Sequence, residues 1–323
     1  MTPPRAGGAS GGGNRTPSRT HGSSRPSKPK KTTQSFVSPP EGLRRLGITP
    51  RKALGQHFLI DGFILKDLAE ACQLTSDDTV LEIGAGPGVL TEELAKRAGR
   101  VVAVDIDEEM AGIARRRLAE YTNLEILPVD VLDYTPLELL EEAGATAPYV
   151  ATGNLPYYIT QPVIRRLLEA DPAPDRIIVL VQREVARRMV GGPGHESLLS
   201  MSIKCYGRPE PLFDVPASAF WPPPKVESAA VRIERLPEGE AAAGLDRALI
   251  PRFFHLLRAG YSEPRKQMHN VLATAFGIPD SAMLEMLEVA EIEPAARAQH
   301  LDLVDWRRLF EAIEAKHPRL LDA

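Results

Sequence analysis

The chain has 323 residues, 43% of them hydrophobic, with two cysteines and a formal charge of −4. That is enough apolar material for one or two packed domains, and no run approaches the roughly 18 apolar residues of a membrane span. Cys72 and Cys205 fit no metal spacing, the seven histidines are scattered and no nucleophile elbow occurs, so the expectation is no metal, no membrane and a cytoplasmic protein with reduced thiols.

Residues 1–40 are Gly, Pro, Ser and Thr with seven basic residues (Arg5, Arg15, Arg19, Arg25, Lys28, Lys30, Lys31) and no acid. Such a segment cannot bury enough surface to offset chain entropy, and it is expected to be a disordered basic arm, phosphate-binding or dispensable. It lacks the leucines of an amphipathic presequence. Taking these seven from 39 Lys and Arg leaves 32, against 43 Asp and Glu, so the remainder carries −11. An acidic body still binds nucleic acid through local basic patches, because phosphate contacts act within about a Debye length. Candidates are Arg51 and Lys52 beside Arg44 and Arg45; Arg187 with Arg183 and Arg188; and Arg265 and Lys266 with Arg252 and Arg258. Each cluster also reads as a solvated helix face.

Ordered structure is expected from about Gly42, with a helix over 62–71, where Phe63, Leu65, Leu68 and Ala69 share a face. From Thr79 strands and helices alternate: strand 79–83, helix 89–98, strand 100–105, helix 108–119, strand 124–129, helix 136–143, strand 148–153, helix 161–169, strand 176–182, helix 183–190. Alternation of this kind predicts a doubly wound, Rossmann-like parallel sheet with ligands at the strand C-terminal ends. Then Ser197–Tyr206, Leu212–Pro216 and Ser228–Arg235 read as strands joined by Pro-rich loops. A linker at 237–244 leads to a small all-helical C-terminal domain over 245–323, with Trp306 in its core. The first fold unit is therefore 41–236.

Four strand ends carry chemistry. After 79–83 comes Gly84-Ala85-Gly86-Pro87-Gly88, a turn that lets backbone approach a ligand. Its G-x-G-x-G spacing, preceded by Glu82, favours a methyltransferase over a nicotinamide enzyme. Asp105 ends the next strand, placed for ribose hydroxyls. Asp130 follows 124–129, suited to an adenine amino group, and equally to a helix cap. Asn154-Leu155-Pro156-Tyr157 ends the fourth. An exocyclic adenine nitrogen is a poor nucleophile because its lone pair is spread into the ring. The Asn154 amide oxygen and the Leu155 carbonyl could accept its two N–H bonds and turn the lone pair towards an electrophile. Pro156 stiffens the turn and removes a competing donor. Tyr157 can stack on a flipped base, and Phe220, in the loop before Trp221, could close on its other face; the bland alternative is a hydrophobic plug under that loop.

These residues resemble the ribosomal RNA adenine dimethyltransferase family, most closely its small-subunit (16S) branch, over about Arg51 to Leu272. Gly55-Gln56-His57-Phe58-Leu59 resembles the cofactor-covering motif, Glu82 to Gly88 the glycine loop, Asn154 to Tyr157 the catalytic motif, Phe220 to Ser228 the late Pro-rich motif, and Arg265 to Asn270 a C-terminal RK-x-x-x-N stretch. Departures are His57 and Tyr158, where Asn is common, and Asp105, where Glu is common. The resemblance implies S-adenosyl-L-methionine as cofactor, held by Gln56, His57, Leu59, Gly84, Gly86, Asp105, Ile106, Asp130, Val131 and Asn154. It implies as substrate two adjacent adenines in the terminal hairpin loop of 16S rRNA within an immature small subunit, modified by a monomer. The rivals are a 23S rRNA methylase of the antibiotic-resistance type, from which Leu155 and Arg265–Asn270 point away, and a ribosome-assembly checkpoint protein with incidental activity.

Overall fold

The computed structural model describes residues 40–237 and 240–322; the basic arm lies outside the described residues. In chain order the elements are α1 (Glu41–Arg45), β1 (Phe58–Leu59), α2 (Gly62–Ala71), β2 (Thr79–Ile83), α3 (Val89–Ala95), β3 (Arg100–Val104), α4 (Glu108–Arg117), β4 (Leu124–Leu127), α5 (Pro136–Glu142), β5 (Tyr149–Asn154), α6 (Thr160–Glu169), β6 (Arg176–Gln182), α7 (Arg183–Val190), α8 (Leu198–Lys204), β7 (Gly207–Val215), β8 (Phe220–Trp221), β9 (Ser228–Arg235), α9 (Ala241–Gly244), α10 (Ile250–Gly260), α11 (Met268–Phe276), α12 (Asp280–Val289) and α13 (Leu303–Lys316).

Seven strands form one sheet in the order β4-β3-β2-β5-β6-β9-β7, parallel from β4 to β6, with β9 and β7 added antiparallel at the edge. Side-chain alternation sorts each strand between two cores. Leu81, Val102, Ala151, Ile177 and Val179 join Leu139, Val163, Ile164 and Met189 of α5 to α7 on one face. Val80, Val101, Val150, Ile178 and Leu180 join Leu68, Leu94 and Ala111 of α2 to α4 on the other. Strands buried on both faces explain their continuous apolar runs. The result is an α/β doubly wound sheet whose order reverses between β2 and β5, which places the ligand crevice at their C-terminal ends.

Side-chain caps mark two of the helix starts around the sheet. Asp61 accepts from Phe63 N at 2.9 Å and Ile64 N at 3.2 Å, and Thr135 and Glu138 form a reciprocal capping box on α5. At one point the sheet demands glycine for space alone: a Cβ on Gly153 would lie 2.2 Å from the Ile83 carbonyl oxygen.

Residues 197–206, expected as a strand, form helix α8. Ser197 caps it, with a reciprocal Ser197–Ser200 pair. Both its faces are apolar, Leu199 and Ile203 meeting the sheet core while Met201 and Cys205 enter the C-terminal core, which erases the amphipathic signature of a helix. The helical C-terminal part packs around Trp306, Phe253, Phe310 and Leu309. Within the expected linker, 241–244 form the short helix α9.

Candidate active site

The turn after β2 is pinned to the end of β3. Gly84 N and Ala85 N both donate to Val104 O, at 2.8 and 3.1 Å. Gly86, in the left-handed region at φ +52°, turns its N–H onto Asp105 Oδ2 at 2.6 Å. Asp105 Oδ1 accepts from Asp107 N at 2.8 Å. Burial raises the Asp105 carboxyl above the ordinary range, and these two backbone donors oppose the rise. Beneath them Glu82 is fully buried, pushed up to about 8 by burial first, with the Asp105 charge adding to the rise and the Thr91 hydroxyl beside it opposing. Its Oε2 has no hydrogen-bond partner.

A cavity of about 220 Å³ opens here, lined among others by Gln56, His57, Gly84, Gly86, Asp105, Ile106, Asp130, Val131 and Asn154 through Tyr157. The structure thus brings most of the expected site residues together at four strand ends. Asp130 Oδ1 accepts from Leu132 N at 2.9 Å, so its acid also holds its own turn. Ile106 is half exposed on the wall, an apolar surface suited to a planar ring.

Residues 51–59 cross over this crevice. Gln56 has its amide engaged at both ends: Oε1 accepts from Arg51 N at 2.8 Å and Nε2 donates to Asp107 Oδ2 at 2.8 Å. Asp107, buried at the start of α4, also faces Arg51 Nη1 at 3.2 Å. Arg51, expected to contact phosphate, is therefore held by Asp107 and by Glu109 at 3.0 Å. Leu59 and Phe220 stand apart from the lining of this cavity. They pair with each other across β1 and β8, and Phe220, only 2% exposed, packs in the sheet core with Leu65 and Leu90. Their side chains follow the hydrophobic driving force into the core and neither lines the cavity.

The Asn154 turn has a defined polarity. Asn154 Nδ2 donates to His57 O at 2.9 Å, which commits the NH₂ end of the amide and leaves Oδ1 as an acceptor. Leu155 N donates to Leu180 O at 3.2 Å, anchoring the turn to β6, and Pro156 O accepts from Ile159 N at 3.1 Å. Tyr157 bonds Ser228 Oγ at 3.1 Å, and its hydroxyl is raised by burial. Its ring is stacked with His57, centroids 6.1 Å apart and planes inclined by 25°. His57 Nδ1–H donates to Pro222 O at 2.6 Å.

Asp107, Pro222 and Ser228 carry bonds within the site that the sequence alone does not assign. A D-x-D step at a helix start signals Asp107 as a cap, while Pro222 and Ser228, within the Pro-rich stretch, bond partners 165 and 71 residues away.

Of the basic candidates, Arg187 and Arg265 are exposed, and Lys266 is exposed with Glu263 at 2.6 Å. Arg252 is taken up by Glu314 and Asp322, Arg183 by Glu227. The Lys52 side chain lies outside the described residues. Among the described residues no group of His, Cys, Asp and Glu is placed to hold a metal, and no helix is long and apolar enough to cross a membrane.

The donor set fits an adenosyl cofactor: a glycine turn without side chains, a carboxylate at the second strand end, an acid and an apolar wall beyond it. Comparison with known proteins agrees. The family described as ribosomal RNA adenine dimethylase matches residues 47–314. A ribosomal RNA small subunit methyltransferase A from Dehalococcoides mccartyi is 42% identical over 259 residues, 80% of this chain and 87% of its own. The crystal structure of a dimethyladenosine transferase from Plasmodium falciparum superposes with a TM-score of 0.67 at 26% identity, covering 80% of this chain and 98% of that one. That of the 23S rRNA methyltransferase ErmE gives 0.65 at 29%, covering 80% and 99%.

Proposed function

The chain belongs to the ribosomal RNA adenine dimethylase family, and on that basis we propose that it methylates N6 of two adjacent adenines in the 3′-terminal hairpin loop of 16S rRNA within an immature small subunit. The observation that carries the reading is the Asn154 amide, fixed by His57 O with its oxygen left to accept, beside the cavity that Asp105 and Gly86 line. The reaction class needs that arrangement.

S-adenosylmethionine, when bound, supplies a methyl group on a good leaving group. Asp105 accepts the ribose hydroxyls, Gly84 and Gly86 let the backbone close on the methionine portion, and Ile106, Asp130 and Val131 receive the adenine. Asn154 Oδ1 and the Leu155 carbonyl orient the target amine. Tyr157 presents a stacking face. No strong base is required, because the proton can leave to solvent after transfer, and catalysis is mostly positioning.

Small-subunit RNA is favoured over large-subunit RNA by the small-subunit relative's higher identity, by Leu155, and by Arg265 and Lys266 on the exposed surface ahead of α11. The 245–323 part serves in this reading as the RNA-docking element of a cytoplasmic monomer. Purified small-subunit particles lacking the modification, offered beside large-subunit RNA with labelled cofactor, test it: N6,N6-dimethyladenine in 16S RNA is expected. Label confined to 23S RNA overturns the substrate, and label in neither supports a non-enzymatic assembly role.

A further inference from the structure

We propose that Glu82 lets the crevice tell a sulfonium cofactor from its neutral thioether product, releasing a proton when the cation binds and regaining one when that charge is gone. This rests on the cofactor reading above. Glu82 leaves β2 on the face covered by α2 and α3, beside its register partner Thr152 on β5, and Thr91 approaches from α3. All three are buried. Glu82 Oε2, Thr91 Oγ1 and Thr152 Oγ1 have no hydrogen-bond partner; Thr91 is near enough to oppose the rise of the carboxyl but completes no hydrogen bond with it. Glu82 also lines a small cavity of about 30 Å³ with Gly84, Gly86 and Asn154. Those three line the main cavity too, so the buried carboxyl stands directly behind the wall of the cofactor crevice.

The titratable groups that face Glu82 are Asp105, an acid at the end of β3, and Cys72 on α2, a thiol that burial pushes up to about 11. Among the described residues no Lys, Arg or His lines the small cavity. A carboxylate there would be a buried charge without a partner, so the group keeps its proton. Its titration near 8 agrees with that geometry. Glu82 ionises when a positive charge enters the crevice, because a nearby cation favours the charged form. Across one turnover the S–CH₃ bond breaks with its electron pair left on sulfur and an N–CH₃ bond forms. The amine's proton passes to solvent, from which Glu82 regains its own. The neutral product then faces a neutral carboxyl, and the attraction that held the cation is gone.

The test is calorimetry in buffers of different ionisation enthalpy, which counts the protons released on binding. S-adenosylmethionine and S-adenosylhomocysteine are compared at neutral pH on wild type and Glu82→Gln. Wild type is expected to release ~0.5–1 proton more with S-adenosylmethionine, and Glu82→Gln to lose that excess. Asp105 meets the ribose of both ligands, so its titration cancels in the difference, and the ligands' own amines titrate alike in both proteins. Relative to Glu82→Gln, the wild-type preference for S-adenosylmethionine should rise on the order of 10-fold between about pH 6 and 8 and flatten above. A second arm uses wild type alone and so stands even where the variant does not fold. Its difference infrared spectrum should lose a protonated-carboxyl band on binding S-adenosylmethionine and keep it with S-adenosylhomocysteine. Equal proton counts for the two ligands, an excess that survives in Glu82→Gln, or a band untouched by S-adenosylmethionine overturns the proposal. Failure of wild type to bind either ligand would overturn the cofactor reading, and this role with it.

Discussion

The side-chain amide of Asn154 donates to the backbone oxygen of His57 at 2.9 Å, joining the end of β5 to the segment that crosses the crevice. The acceptor oxygen is thus oriented before any substrate arrives. Asn154→Ala should lower turnover on the order of 10²-fold, as expected for loss of one preorganised polar group, with cofactor affinity changed only a few-fold. A near wild-type rate in single-turnover assays would sink this role.

Asp105 holds the glycine turn through Gly86 as well as facing the cavity. Asp105→Ala should weaken S-adenosylmethionine binding by roughly 1–3 kcal/mol. Calorimetry is the check, and unchanged affinity would refute the ribose role.

Glu82 gives a pH signature. Its folded pKa of about 8 lies above its ordinary 4.5, so between those values the folded state keeps a proton that the unfolded chain releases. Stability contributed by this group is full below about pH 4.5 and is lost as pH rises through 8. Glu82→Gln should therefore raise Tm at pH 9 relative to wild type and flatten the fall between pH 5 and 9. Parallel Tm curves for the two proteins would contradict the buried, proton-retaining carboxyl.

Gly153→Ala places a methyl 2.2 Å from the Ile83 oxygen. Separating β5 from β2 there should cost about 1–3 kcal/mol, visible as a Tm several degrees lower in thermal unfolding. An unchanged Tm would show that the strand ends yield freely.

Arg265→Ala combined with Lys266→Ala removes two exposed charges outside the cavity. Methylation of small-subunit particles should fall and its salt dependence flatten, with cofactor binding intact. Wild-type KM at every salt concentration would remove these residues from docking.

The parallel sheet was legible because doubly buried strands and amphipathic helices alternate strongly; helix 62–71 and strands 79–83, 176–182 and 228–235 coincide with the expected spans. Four strand ends converged on one crevice for the same topological reason. What was not legible depended on distant partners. The pairing of Leu59 with Phe220 joins segments far apart in the chain. Arg51 is held by Asp107 and Glu109, partners remote in sequence. Helix α8 was hidden by having two apolar faces.

That helix has a mechanical consequence. Ile203 is set in the sheet core and Met201 and Cys205 in the core around Trp306, while Lys204 is fastened to Glu196, whose backbone N–H reaches Gln299 O at 3.2 Å. One short helix is thus packed into both cores, so that parting the C-terminal helices from the sheet would strip apolar side chains from one core or the other.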